Sequence, residues 1–230
     1  MLRLPGRRLS LLRGSVRTRS LLLASPLMSG RMETAAAAAL LVASAPLSMI
    51  SAASILLLDG PPILFRQTRL GLHRRPFSLL KFRTMRDGHV TCPGRVLRDL
   101  GWDELPQLVN VLRRDLAFIG PRPLTPEDVD RLAAAHPGIG GRFSVRPGLT
   151  GLIQVLGTRG AAFSIAVENA YARGGTPLLD AQILSLTAGA FLLGKDRLRR
   201  LVARFPGWKN RLLFLEAENP DQELPVSGNH

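Results

Sequence analysis

Cysteine is nearly absent from this chain, since Cys92 is the only one in 230 residues. An internal disulfide and a cysteine cluster for zinc or iron–sulfur are therefore excluded. The four histidines have neither the spacing nor the acidic neighbours of a zinc site. The sequence has no Gly-x-x-x-x-Gly-Lys-Ser/Thr loop and no dinucleotide fingerprint, which argues against an ordinary ATPase or Rossmann enzyme. Aromatic residues make up only 5% and no nucleic-acid motif occurs, so charge alone would support nucleic-acid binding and we expect no nucleic-acid partner.

Positive charge dominates the ionisable residues, with 31 lysines and arginines against 17 acidic residues and a net charge of +14. Most of the basic residues are arginines, which stay charged and bind phosphate in a bidentate manner. We therefore expect anionic partners such as nucleotides or phospholipids. The first 30 residues carry arginines and no acidic residue. Residues 1–33 are predicted to form a basic N-terminal arm rather than a secretory signal.

An uncharged segment follows over residues 34–58, and it is long enough to cross a bilayer as a helix. Pro46 lies near its middle, where it removes a backbone hydrogen bond and bends or breaks a helix. Both flanks are rich in arginine, and basic flanks tend to stay in the cytoplasm. A re-entrant hairpin keeps both flanks inside, so we predict it ahead of a straight span. A buried core helix of a soluble protein is the third alternative.

Two adjacent carboxylates, Asp103 and Glu104, precede an apolar pattern that predicts a helix over residues 103–116, with Pro106 in its first turn. The dipole at a helix N-terminus favours an ionised carboxylate and attracts phosphate oxygens. A carboxylate can attack phosphorus and form an acyl phosphate, and an adjacent glutamate can bind Mg²⁺ through oxygen. Asp103 is therefore the candidate nucleophile. The alternative, which the spacing alone slightly favours, is that Asp103 only caps the helix.

Basic residues surround the acid pair in the sequence and are candidates for binding phosphate, because phosphoryl transfer depends on charge neutralisation. They are Lys81, Arg83, Arg95, Arg98, Arg122, Arg142 and Arg146. Any one of them more commonly belongs to a solvated surface. Arg122 is the favoured member, because Pro121 and Pro123 restrict its backbone. Gly148 and Gly151 either let the backbone approach a ligand closely or simply form turns.

Short strands are predicted over residues 61–65 and 77–82, with Gly71 in the connecting loop. Further helices are predicted over residues 126–135 and 178–204. The basic amphipathic stretches 105–118 and 178–205 suit a membrane surface, and an ordinary core-facing helix is an equal alternative for either one. Residues 217–230 are predicted to form a loose tail.

Taken in order, these motifs resemble those of the bacterial sugar transferase family, the monotopic phosphoglycosyl transferases that start glycan assembly on polyprenyl phosphate. The resemblance runs from about Arg31 to Leu184. The matching blocks are Gly60-Pro61, Phe65-Arg66-Gln67, Lys81-Phe82-Arg83-Thr84-Met85, Gly94-Arg95, Asp103-Glu104-Leu105-Pro106-Gln107-Leu108, Gly120-Pro121-Arg122-Pro123 and Pro147-Gly148-Leu149-Thr150-Gly151. So many blocks in one order make the resemblance specific.

The resemblance implies transfer of a sugar 1-phosphate from a UDP-sugar to polyprenyl (undecaprenyl) phosphate, with release of UMP. It implies Asp103 as nucleophile and Glu104 as its partner, both as ligands of Mg²⁺ at the diphosphate. The family's basic site residues correspond to Lys81, Arg98, Arg122 and Arg146. Arg95 does not come from this correspondence, but it is added because it belongs to the basic set above. These five residues are expected to bind substrate phosphate.

The implied fold is α+β and mostly helical: a re-entrant membrane helix hairpin over residues 34–58, broken at Pro46, and then a cytoplasmic catalytic domain with short strands and interfacial amphipathic helices. The catalytic domain is expected over residues 59–194, and a basic helix and C-terminal tail over residues 195–230. The expected location is the bacterial inner (cytoplasmic) membrane, in contact with membrane lipids. The oligomeric state is left open, with a homodimer as one alternative.

Some positions depart from the family pattern. Ala45-Pro46 stands where the family usually has Ser-Pro, Trp102 replaces a leucine, and only Arg31 and Glu33 precede the membrane helix. These departures motivate an alternative function, a membrane-anchored scaffold of a glycan assembly complex in which catalysis is lost or minor. The intact acid pair favours activity. No motif encodes the identity of the sugar or of the glycan pathway.

Overall fold

The computed structural model describes residues 30–157 and 160–193, and it begins with two helices joined by a bend. Helix α1 spans Gly30–Ala43 and α2 spans Ala45–Asp59, with an angle of 57° between them. Pro46 lies in the first turn of α2, where its missing N–H cannot continue the hydrogen bonds of α1. The predicted break beside Pro46 is therefore present. Of the basic arm expected over residues 1–33, the last four residues belong to α1, and the rest lies outside the described residues.

Membrane crossing by one helix is not supported in the described part of the chain, where no single helix is both long and apolar enough. Helices α1 and α2 meet that test only together, by length and composition, as a broken span or a re-entrant loop. Each packs one face on the rest of the protein, through Ala37 in α1 and Ile55 in α2, both fully buried. Their other faces expose apolar side chains, with Leu57 81% and Val42 74% accessible.

A β-hairpin follows the bent pair. Strand β1 (Leu64–Leu70) pairs in antiparallel register with β2 (Pro76–Phe82), so that Lys81 stands opposite Phe65. The strand predicted over residues 77–82 is confirmed. The one predicted over 61–65 is wrong in its bounds, because Pro61 and Pro62 have no N–H to donate to a partner strand.

A second, shorter hairpin pairs β3 (Met85–Arg86) with β4 (His89–Val90), and helix α3 (Cys92–Leu100) follows it. The single long helix predicted over residues 103–116 is wrong. A 3-10 turn covers Trp102–Glu104, and helix α4 covers only Gln107–Leu112. The carbonyl of Asn110 accepts the N–H groups of Asp115 and Leu116, at 2.9 and 3.3 Å, which turns the chain out of the helix.

A helix over the whole of residues 105–118, expected either at the membrane surface or facing the core, is absent for the same reason. Its last residues enter strand β5 (Ala117–Ile119), which pairs in parallel with β6 (Gly148–Thr150). In the sequence between β5 and β6, helix α5 spans Pro126–Ala135, which are the predicted bounds. The side chain of Thr125 caps α5 by accepting the N–H of Asp128 at 3.1 Å.

Three helices complete the described fold: α6 (Leu152–Leu156), α7 (Ala161–Gly174) and α8 (Pro177–Leu193). The helix predicted over residues 178–204 is present as far as Leu193, and the basic part expected beyond it, with the tail, lies outside the described residues. The described chain is thus an α+β fold, mostly helical with short strands, as expected.

Candidate active site

Asp103 and Glu104 lie together in the 3-10 turn Trp102–Glu104, between α3 and α4. Gly101 ends α3 in the left-handed conformation, with φ 71°, which glycine adopts without steric penalty. The N–H of Leu105 closes the turn on the carbonyl of Trp102 at 3.2 Å. The acid pair lies near the N-terminus of a helix, as expected, but in a separate turn before it, since Pro106 is the N-cap of α4. The alternative that Asp103 only caps the helix is wrong, because no side chain caps α4. The turn, and not a helix dipole, sets the direction of the two carboxylates.

Two cations lie beside the acid pair, from separate elements. Lys81 in β2 places its Nζ 2.7 Å from Oε1 of Glu104, with side chains 29% and 44% accessible. Arg98 in α3 donates from Nε to Oγ1 of Thr84 at 2.8 Å. The fold therefore brings together four of the residues expected from the sequence, which we call the carboxylate site: Lys81, Arg98, Asp103 and Glu104.

The close approach of α3 to Thr84, in the connection between β2 and β3, depends on Gly94. A Cβ at this position would lie 2.2 Å from the carbonyl oxygen of Thr84, a distance that atoms do not tolerate. Thr84 is also the partner of Arg98. The glycine thus allows α3, which carries Arg98, to approach the segment that follows the Lys81 strand, which accounts for its place in the sequence motif.

The electrostatic state of Asp103 reflects this half-buried position. Desolvation by burial raises the pKa of Asp103, and the negative charge of Glu104 raises it further. The positive charges of Lys81 and Arg98 lower that pKa in part. The ionised form of Asp103 is therefore destabilised by its surroundings and depends on neighbouring cations. Such a carboxylate gains from an approaching positive charge, whether a side chain or a metal ion.

A second group of basic residues surrounds the loop Gly120–Leu124, which we call the arginine loop. The side chain of Arg122 is exposed, and its backbone N–H donates to Oε1 of Glu168 in α7 at 2.8 Å. Arg69 in β1 lies close enough that the charge of Arg122 helps to lower its pKa, after the larger effect of burial. Arg122 thus offers a charged side chain from a loop that buried groups surround.

The remaining predicted residues do not join the carboxylate site through any contact in the described part of the chain. Arg95 is exposed on α3. Arg146 forms an ion pair with Glu33 of α1 and donates to the carbonyl of Leu116 at 3.2 Å. Its role in binding phosphate stays a prediction. Arg83 donates to the carbonyls of Asp59, Gly60 and Pro61 and so fixes the end of α2.

The glycines of the 147–151 block serve contact between backbone segments. A Cβ on Gly148 would lie 2.1 Å from the backbone nitrogen of Gly120. A Cβ on Gly151 would lie 2.2 Å from the carbonyl oxygen of the same residue, Gly120. These glycines allow β6 and the start of α6 to approach the arginine loop. Their position accounts for them without a ligand.

The acid pair has the donor chemistry that Mg²⁺ requires. Within residues 30–157 and 160–193 there is no group of three or more histidine, cysteine or acidic side chains that would hold a metal alone. Mg²⁺ commonly binds one or two carboxylates and completes its shell with water and substrate phosphates. Asp103 and Glu104 fit such a shared site, in which the substrate supplies the other oxygens. Glu104 would then exchange part of its contact with Lys81 for the metal.

Sequence reasoning missed three residues that shape these sites. Glu168 is a solitary acid in the mostly apolar stretch 161–170, and such isolation is a signal for a buried partner. Glu33 was noted only as one of two charged residues before the predicted membrane helix, and its partner Arg146, 113 residues away, was not predicted. Asn110 belongs to a block that resembles the family, but its role was not predicted: it is fully buried and accepts the N–H of Leu80 in β2 at 3.0 Å.

Comparison with known proteins gives a match to the family model described as bacterial sugar transferase, over residues 26–194. A UDP-glucose:undecaprenyl-phosphate glucose-1-phosphate transferase from Caulobacter vibrioides is 43% identical over 148 residues, which cover 58% of this chain and 55% of that protein. An uncharacterized sugar transferase from Bacillus subtilis, EpsL, is 36% identical over 174 residues, or 70% of this chain and 85% of the relative.

A further relative is the UDP-glucose:undecaprenyl-phosphate glucose-1-phosphate transferase of Klebsiella pneumoniae, 31% identical over 178 residues, or 68% of this chain. The matched region spans only 38% of that protein. This chain therefore corresponds to nearly all of the Bacillus relative but to about half or less of the two named glucose-1-phosphate transferases.

Proposed function

The chain belongs to the bacterial sugar transferase family, and we propose that it transfers a sugar 1-phosphate from a UDP-sugar to polyprenyl (undecaprenyl) phosphate, releasing UMP. The observation that carries this proposal is the carboxylate site. Adjacent Asp103 and Glu104 lie in one turn, with Lys81 bonded to Glu104 and the charges of Lys81 and Arg98 acting on Asp103. The names of relatives that act on UDP-glucose and undecaprenyl phosphate support it further. The step is the first membrane step in building a polysaccharide or glycoconjugate.

Asp103 is the nucleophile in the mechanism we propose. One of its carboxylate oxygens attacks the phosphorus that carries the sugar, and a new O–P bond forms while the bond from that phosphorus to the bridging oxygen breaks. UMP leaves with the bridging oxygen. A phosphate oxygen of polyprenyl phosphate then attacks the same phosphorus, and the acyl phosphate bond breaks. The products are polyprenyl diphosphate sugar and free Asp103.

Cationic side chains neutralise the charge of the diphosphate in this mechanism. Lys81 and Arg98 lie at the carboxylate site, and the exposed Arg122 binds a phosphate from the arginine loop. Arg95 and Arg146 are further proposed phosphate ligands. Arg146 would bind phosphate only after its ion pair with Glu33 has broken. When bound by Asp103 and Glu104, Mg²⁺ would neutralise charge on the diphosphate and on the leaving UMP.

We also propose that α1 and α2 form a re-entrant hairpin in the bacterial inner membrane, with the catalytic domain on the cytoplasmic side. The support is the bend beside Pro46 and the apolar faces exposed on both helices, such as Val42 and Leu57. Arginine-rich flanks on both sides of the pair favour return to the cytoplasm over a crossing. In this arrangement the phosphate of a lipid-borne acceptor reaches the catalytic domain at the membrane surface.

The test is nucleotide release by the full chain in lipid nanodiscs, with Mg²⁺, polyprenyl phosphate and a panel of UDP-sugars. Release of UMP with one sugar is the expected result and would identify the donor. Release of UDP would show glycosyl transfer instead and contradict the mechanism. Asp103→Asn should abolish transfer, whereas Asp130→Asn, at an exposed position in α5, is the matched control and should leave it unchanged. Full activity of Asp103→Asn would refute the nucleophile assignment.

A further inference from the structure

A buried ion pair lies directly behind the arginine loop. Nη1 of Arg142 lies 2.7 Å from Oε2 of Glu168, and the two side chains are only 4% and 6% accessible. Arg142 comes from the turns that follow α5, and Glu168 comes from the middle of α7. The mechanism proposed above gives neither residue a task.

Both members of the pair also bind the backbone of a single residue, Arg122. Oε1 of Glu168 accepts the Arg122 N–H at 2.8 Å, and Nη2 of Arg142 donates to the Arg122 carbonyl. The N–H and the C=O of Arg122 are therefore fixed by two side chains that are themselves bonded to each other. This arrangement determines the orientation of the peptide units on each side of the Arg122 Cα.

The rest of the loop is fixed in the same way. Gly120 donates to the carbonyl of Thr150 and the carbonyl of Pro121 accepts from Gly148, each at 2.9 Å. The carbonyl of Pro123 accepts from Nη1 of Arg69 at 3.0 Å. The rings of Pro121 and Pro123 restrict φ on both sides of Arg122. The side chain of Arg122, exposed and without a side-chain hydrogen bond or ion pair in the described residues, is the part of the loop left free to meet a ligand.

Burial acts against the charged form of both members of this pair. Burial raises the pKa of Glu168, and burial lowers the pKa of Arg142, so desolvation opposes the charged form of each. Replacement of such a pair by packed apolar residues is often neutral or stabilising. The positive charge of Arg122 adds to the lowering of the Arg142 pKa. A buried pair of this kind is therefore weak evidence for a purely stabilising role.

We infer that Arg142 and Glu168 are a positioning pair that aims the Arg122 guanidinium at a phosphate group of one substrate. The inference rests on the proposed function, since the phosphate belongs either to the UDP-sugar or to the polyprenyl phosphate. The pair acts through the backbone of Arg122 and touches neither substrate. A guanidinium held in one direction binds phosphate at a lower entropic cost than one on a mobile loop.

The first test is a double-mutant cycle on KM. The main variant is Arg142→Met with Glu168→Leu, which removes both bonds to Arg122 and leaves no unpaired buried charge. A misplacement of about 1 Å at an active site can lower the reaction rate about a hundredfold. We expect the loss of the two bonds to Arg122 to raise KM for one substrate roughly tenfold or more. Titrating UDP-sugar and polyprenyl phosphate separately shows which one supplies the phosphate. In an Arg122→Ala background, the same pair of substitutions should cause no further rise.

A merely structural pair would behave differently, by lowering the folded fraction and hence kcat equally in both backgrounds. The inference is overturned if KM for both substrates is unchanged, or if KM rises as much without the Arg122 side chain as with it. Glu168→Gln is the second variant, because it retains an acceptor for the Arg122 N–H and should raise KM less. Arg131→Gln, which breaks the exposed pair with Asp128, is the control and should leave KM unchanged.

The second test does not depend on activity. Amide hydrogen exchange over residues 120–124 of the full chain in nanodiscs should be faster in the Arg142→Met, Glu168→Leu variant than in the wild type. Exchange in β2 should be unchanged. If the wild type transfers no sugar phosphate, the proposed function fails, while this measurement still tests how the loop is fixed. Equal exchange in both proteins would overturn the inference.

Discussion

Replacement of Glu33 by alanine should destabilise the whole catalytic domain, although Glu33 lies in the first helix of the bent pair. One carboxylate oxygen of Glu33 binds the Arg146 guanidinium and the other accepts the N–H of Phe118 in β5 at 3.2 Å. Glu33 is almost completely buried, with its side chain 5% accessible. The substitution would therefore leave a buried N–H and a largely buried cation without their acceptor.

The magnitude follows from the degree of burial. Removal of one partner from a buried ion pair costs about 3–5 kcal/mol. The Arg146 side chain is 21% accessible and keeps its bond to Leu116, so the lower end, about 3 kcal/mol, is expected. For a chain of this size that corresponds to a decrease in Tm of roughly 6–12 °C.

Thermal unfolding in nanodiscs, followed by tryptophan fluorescence, measures this effect. Glu33→Gln should give a smaller decrease, because its amide oxygen still accepts the Phe118 N–H. Glu127→Ala is the matched control at an exposed position in the first turn of α5, and its cost should stay below about 1 kcal/mol. A Tm for Glu33→Ala within the error of this control would refute the role assigned to the Glu33–Arg146 pair.

Two further predictions concern the carboxylate site and the membrane. Lys81→Met should move the acid limb of the pH profile of kcat/KM to higher pH. The positive charge of Lys81 lowers the pKa of Asp103, so its removal raises that pKa. The charge-conserving Lys81→Arg should restore the limb, and an unmoved limb in Lys81→Met would contradict the coupling. In a Cys92→Ser background, single cysteines at Arg19 and at Arg74 should both react with a thiol reagent only from the cytoplasmic side. Labelling from opposite sides would establish a broken span.

The elements that sequence reasoning predicted correctly have local signals. Helix α5 begins after a Thr125 cap with Pro126 in its first turn, and these residues are neighbours in the chain. The break between α1 and α2 follows from the single residue Pro46 in the same way. The long helix over residues 103–116 was wrongly predicted, because apolar periodicity does not reveal that Asn110 binds β2, about thirty residues earlier.

The same difference between local and distant signals applies to the candidate site. The residue types of the carboxylate site were predicted from the motifs, but the bond of Lys81 to Glu104 joins elements 23 residues apart in the chain. The separations along the chain are larger still for two other contacts: 113 residues between Arg146 and Glu33, and 46 residues between Arg122 and Glu168. Partners at such separations are set by packing, and a single sequence carries no record of packing beyond an isolated charge in an apolar stretch.

The two halves of the bent pair are joined to the two groups of site residues by separate polar contacts. Glu33 in α1 binds the N–H of Phe118 in β5, and the same strand leads into the arginine loop at Gly120. The end of α2 is held by Arg83, which lies two residues after Lys81. These contacts fix both groups relative to α1 and α2. Under the proposed function, in which these two helices lie in the membrane, the contacts also fix the height of each cation above the bilayer. An acceptor phosphate on a lipid lies at a narrow range of depths. Under the proposed function, contacts that set this height therefore contribute to catalysis by placing the cations at the depth of the phosphate.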